Sequence, residues 1–114
     1  MLTNKYSKTY FSITSTAKKR ITEGYTERHH IIPQSLGGSN DKDNLVDLTA
    51  REHFVCHLLL TKMTEGVAKS GMCYAVWQMT NINNRQRYSP TSRIYAILRK
   101  QLSESYTGRM LTEE

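Results

Sequence analysis

Glu27-Arg28-His29-His30-Ile31-Ile32-Pro33, then Asn44, then Arg51-Glu52-His53-Phe54-Val55-Cys56-His57, are the stretches on which the reading of this chain turns. They hold all four histidines, as one neighbouring pair and one pair four residues apart. Imidazole is the commonest metal ligand and the side chain that titrates nearest physiological pH. Three such rings can hold a divalent metal while a fourth serves as a base, which suits hydrolytic chemistry.

The residues around them predict a short strand, a loop, a second strand and a helix. The first strand carries His29 and Ile31 and is stopped by Pro33, because the residue before a proline avoids helical backbone. Residues 34–43 contain Gly37-Gly38, Ser39, Asn40 and two aspartates, a polar loop. Asn44-Leu45-Val46-Asp47-Leu48 alternates as a second strand. Thr49-Ala50-Arg51-Glu52 has the form of a capping box, in which Thr49 bonds the amide of Glu52 and Glu52 reaches back. A helix is expected over residues 50–63. On it His53 and His57 lie about 40° apart around the axis and share one face. Strand alternation puts His29 and His30 on opposite faces, so only one of them points directly at a site on the helix.

His29-His30-Ile31-Ile32-Pro33 with Asn44-Leu45-Val46, Glu52-His53 and His57 resembles the HNH endonuclease motif of the ββα-metal fold. The resemblance covers about residues 25–62, and the flanks are similar to phage-encoded HNH homing endonucleases. It implies an α+β fold: two short antiparallel strands and a helix, surrounded by further helices. It implies metal-dependent hydrolysis of DNA phosphodiesters, with His30 as general base in its neutral form. His29, His53 and His57 would be the metal ligands. Asn44 counts with the catalytic set, bracing the loop or the base histidine, or ligating metal in some members. The cofactor implied is one divalent ion, magnesium or manganese for activity, with zinc or nickel also able to bind. Many members carry Asp where His29 stands, and an all-imidazole site is softer and less selective.

Composition agrees with one small domain. The 114 residues are 38% apolar, enough for a single core. A net charge of +6 suits a polyanionic partner. The partner expected is DNA, held mainly through its phosphates; the candidate contacts are Lys18, Lys19, Arg20, Arg28, Arg51, Arg85 and Arg87. No apolar run is long enough to span a membrane, no secretory signal is visible, and Cys56 and Cys73 lack CxxC spacing. These features suit a reducing cytoplasm, and the resemblance implies that of a phage-infected bacterium. Asp41, Asp43 and Asp47 lack the spacing and terminal Glu of an EF-hand. Glu27 is read as an ordinary residue of a wet strand, although it can also orient a basic neighbour.

Four segments follow. Residues 1–24 form a basic arm with a helix over 7–22, whose apolar stripe is Tyr10, Ile13, Thr14, Ala17 and Ile21. This arm either binds phosphates or covers the ββα unit, or both. Residues 25–63 are the catalytic core. Residues 64–108 open with a hinge over 64–71 and continue as helices, 72–80 and one starting at Ser89-Pro90 with Ile94, Tyr95, Ile97, Leu98, Leu102 and Tyr106. Residues 109–114 are either a short tail or the start of a DNA-binding module. Two rival functions share these features: a non-catalytic zinc-stabilised DNA-binding module, which would need a fourth ligand such as Cys56, and an RNA-cleaving nuclease of the same fold.

Overall fold

A computed structural model describes residues 1–21 and 23–81. The expectations for Arg85, Arg87, the helix at Pro90 and the tail lie outside these residues. Helix α1 spans Lys5–Lys19, strand β1 Glu27–His30, strand β2 Leu45–Leu48, helix α2 Ala50–Lys62 and helix α3 Gly66–Asn81. β1 and β2 pair antiparallel, with Glu27 opposite Leu48, Arg28 opposite Asp47, His29 opposite Val46 and His30 opposite Leu45. The expected α+β arrangement of two strands and a helix, flanked by further helices, is present.

α1 starts earlier than its apolar pattern implies because Asn4 caps it. The Asn4 side chain accepts from the amides of Tyr6 and Ser7, each at 3.0 Å, and the Asn4 amide donates to Ser7 Oγ at 2.8 Å. Ser7, Tyr10, Thr14 and Ala17 form the buried stripe. Ile21 does not belong to it. The helix ends at Lys19, Arg20 is extended, and Ile21 is 96% exposed.

Arg20 explains that exit. Its guanidinium forks onto both carboxylate oxygens of Glu52, one contact measuring 2.7 Å, and ties the end of α1 to the start of α2. Glu52 also caps α2 as its sequence suggests: Thr49 N donates to Glu52 Oε1 at 2.9 Å, and Glu52 N to Thr49 Oγ1 at 3.2 Å. The hydrogen bonds from Arg20, foremost, hold the Glu52 carboxyl down at about 2. A carboxylate depressed in the folded state stabilises it above its ordinary 4.5, and that contribution fades as pH falls from there towards 2. Glu52→Gln keeps a cap but removes the charge. It should lower stability at neutral pH by roughly 1 kcal/mol and flatten the acid dependence between pH 4.5 and 2. Urea melts across that range check this; an unchanged slope would count against the pairing.

The loop between the strands is held by Asn44. Its Oδ1 accepts from Ile32 N at 2.8 Å, and its Nδ2 donates to Ile32 O at 3.0 Å and Ser39 O at 2.8 Å. The turn closes so tightly that a Cβ on Gly38 would sit 1.7 Å from Ile32 O, so only glycine fits there.

The sheet's inner face and three helices share one core of Tyr10, Ala17, Val46, Leu48, Cys56, Leu60, Met63 and Met72. Phe54 and Val76 join α2 to α3 in a second cluster, with Leu58 and Met79 beside them. The expected hinge over 64–71 is shorter, since α3 already begins at Gly66, whose φ is +64°. An exposed helical glycine such as Gly71 costs about 1 kcal/mol relative to alanine. Burial of Ser70, Met72, Cys73 and Val76 on the same helix offsets it.

Candidate active site

Period-two alternation sorts β1 into two faces. Glu27 and His29 are buried, Arg28 is exposed and His30 is half-buried. α2 crosses the inner face and brings His53 and His57 to His29. The three ring centroids lie 4.8 to 5.2 Å apart, and one nitrogen from each ring falls within 4.8 Å of the others. Among the described residues this is the group of side chains that can hold a metal ion.

The donor set fits that role. His53 Nδ1 lies 2.6 Å from Glu27 Oε1, and a carboxylate can only accept, so His53 carries its proton on Nδ1 and has its lone pair on Nε2. That Nε2 is 3.2 Å from His57 Nε2. A lone pair held so close to a second ring nitrogen favours a cation or a proton beside it. Glu27 is itself steadied by a hydrogen bond from the Tyr25 hydroxyl. Carboxylate support of this kind orients metal-binding histidines and raises their basicity. His29, at 3% exposure, is kept neutral: burial first, then the neighbouring His57, His53 and His30, push its pKa down to about 3. A neutral ring is what a metal needs.

His30 stands apart from the three. Its Nε2 is 2.8 Å from Asn40 Oδ1, which also accepts from Gln34 Nε2 at 2.9 Å. The amide oxygen fixes the proton on Nε2 and leaves Nδ1 able to take one. His29, His30, His53 and His57 line one open cleft of about 170 Å³ with Arg28, Pro33 and Gln34. Asn44 does not line this cleft; its amide is spent on the backbone of the loop that carries Asn40.

Cys56 is not part of the cluster. It is fully buried in the core, and burial pushes its thiol up to about 12, so it stays protonated. A closed four-ligand site with Cys56 therefore has no support here. Three imidazoles facing a cleft have the form of an open site.

The basic residues divide into two groups. Lys18 Nζ donates to the carbonyls of Lys42 at 2.6 Å and Leu45 at 2.7 Å, and Arg20 is joined to Glu52. Lys19, Arg28 and Arg51 are exposed. Arg28 is 3.8 Å from Asp47 across the strands, but with both side chains more than half exposed that attraction is weak. A groove of about 630 Å³, lined by Lys18, Arg20, Arg28 and Lys42 among others, shares Arg28 with the histidine cleft.

Two contributors escape a sequence reading. Glu27 is 8% exposed and bound to His53, so its reading as an ordinary wet-strand residue is wrong. Its position two before His29, on the same strand face, was the available signal. Tyr10 is fully buried with its hydroxyl 2.7 Å from His29 Nε2, a contact between residues 19 apart that no local pattern announces.

The sequence is similar to known proteins. Residues 16–62 match the family model described as HNH endonuclease. The chain is 40% identical over 113 residues to "Probable mobile endonuclease E" of Enterobacteria phage T4, an alignment covering 96% of this chain and 77% of that protein. It is 38% identical over 113 residues to "Probable mobile endonuclease D" of the same phage, with 92% of this chain and 43% of that protein covered. For "Probable mobile endonuclease C" the identity is 38% over 107 residues, with 90% and 48% covered. No solved structure matches the chain.

Proposed function

The chain belongs to the HNH endonuclease family, and from that premise we propose that it hydrolyses DNA phosphodiesters with one divalent ion held by His29, His53 and His57 and with His30 as general base. The observation that carries this reading is the convergence of three imidazoles on an open cleft that His30 also lines.

When bound, the ion supplies charge neutralisation at the scissile phosphate and stabilisation of the departing oxygen. The remaining work falls to side chains. His30 takes a proton from water on Nδ1 while Asn40 holds its other nitrogen. The water oxygen bonds to phosphorus as the bond to the 3′-oxygen breaks, and the 3′-oxygen takes a proton from solvent water, giving 5′-phosphate and 3′-hydroxyl ends. Asn44 keeps the loop that carries Asn40 in place. Arg28 and Arg51, exposed on β1 and α2, contact phosphates, with Lys19 further along; affinity falls steeply with salt because counterions are released. Imidazole ligands favour zinc and nickel over magnesium, so zinc or nickel binds such a site as well, and the reading assigns turnover to magnesium or manganese.

The relatives are named as probable mobile endonucleases of a phage, which supports the reading we favour, a homing role in the cytoplasm of an infected bacterium. No helix among the described residues is long and apolar enough to cross a membrane. Supercoiled plasmid and a structured RNA, each incubated with magnesium, manganese, nickel, zinc or chelator, test the proposal. Nicked or linear plasmid that disappears with chelator is the expected result. Intact plasmid with every metal would leave a DNA-binding module, and cleavage of RNA alone would change the substrate.

A further inference from the structure

We propose that Tyr10, on the N-terminal helix, is a positioning residue for the metal centre: its hydroxyl fixes the proton of His29 on Nε2, so that Nδ1 is the nitrogen His29 offers to the ion. This rests on the metal reading above. The argument is one of donors and acceptors. The Tyr10 hydroxyl has a single proton and two close partners, Ile31 O at 2.6 Å and His29 Nε2 at 2.7 Å. A carbonyl can only accept, so the hydroxyl proton goes to Ile31. The Tyr10 oxygen is then an acceptor towards His29, and Nε2 must donate.

No solvent competes for these bonds, since Tyr10 is fully buried and His29 nearly so. Tyr10 packs edge-on to His29, with centroids 5.9 Å apart and planes at 68°, and edge-on to Phe11 at 5.1 Å. The ring is thus held on both sides. The outcome complements His53, whose Nδ1–H is fixed by Glu27. The two ligands are locked through opposite nitrogens, His29 through Nε2 and His53 through Nδ1, and they offer Nδ1 and Nε2 respectively. Helix α1 is therefore part of the centre as well as a cover over the core, and an arm that binds only phosphates would not do this.

Long-range proton–nitrogen correlation spectra of the metal-free full chain, with labelled histidine, read the tautomer directly. Wild type should show His29 as the Nε2–H form, and Tyr10→Phe, which keeps the ring but not the hydroxyl, should lose that preference. Calorimetric titration with zinc should show the variant weaker by about 10- to 100-fold, the range typical of lost support to a metal ligand, at unchanged far-UV circular dichroism. An Nδ1–H tautomer in wild type, or wild-type zinc affinity in a folded Tyr10→Phe, overturns the proposal. If the variant does not fold, the wild-type tautomer decides alone. Wild type that binds no divalent ion at all would sink the metal reading, while the tautomer would still report on Tyr10 and His29.

Discussion

His30→Ala should cut DNA more slowly by about 10²- to 10⁴-fold, the usual contribution of a general base, while its metal affinity and thermal unfolding stay near wild type. The separation of these readouts follows from where the ring sits. His30 is on the half-buried outer side of β1 and bonds Asn40 in the loop, whereas the three converging rings sit on or over the inner face. Truncating it removes one loop contact and no core contact. Single-turnover cleavage with manganese, beside a zinc titration of the same variant, checks both halves. A variant that has lost metal affinity together with cutting would mean that His29 and His30 have exchanged roles, and one that still cuts at the wild-type rate would remove His30 from the role of base.

The core of this reading was legible because its signals are local. Thr49 and Glu52 form a capping box within one turn, and the helix starts at Ala50 as the box requires. His29 and His30 alternate because a strand has period two, and His53 and His57 stack because a helix advances about 100° per residue. What was not legible depends on partners far away in sequence. The apolar stripe of α1 extends on paper to Ile21, but Arg20 reaches Glu52 on another helix and pulls the chain out of the helix first. Lys18 and Arg20 read as candidate phosphate contacts, and no local pattern announces that Lys18 meets two backbone carbonyls and Arg20 a carboxylate. Tyr10 reads as core, and it is core, but a phenol carries a hydroxyl that must find a partner when buried. Which partner it finds is decided by how α1 lies on β1. Glu27 is the instructive case: a carboxylate on the same strand face as a buried histidine needs a reason to be there, and His53 is that reason.

Removing either helical histidine should abolish most of the stabilisation that metal confers. An ion bound only by the folded chain adds RT ln(1 + [L]/Kd), about 2.7 kcal/mol at a hundredfold excess over Kd. For a domain of this size that is worth roughly 10 °C or more in Tm. His53→Ala and His57→Ala should each show only a small rise with added zinc or manganese, because two imidazoles hold such an ion far less tightly than three. The two variants should differ without metal. His53→Ala also takes one N–H donor away from the buried Glu27 carboxylate, so its baseline Tm should fall further than that of His57→Ala. Cys56→Ala separates ligation from packing. It leaves a small void in the core that holds Leu60 and Val46, and should cost about 1 kcal/mol or somewhat more in baseline stability. Its metal-induced rise should nonetheless match wild type, since the buried thiol lies outside the cluster. Thermal melts of the four proteins with and without metal decide the matter. A rise that survives in both histidine variants and vanishes in Cys56→Ala would replace the ligand set proposed here with one that includes the thiol.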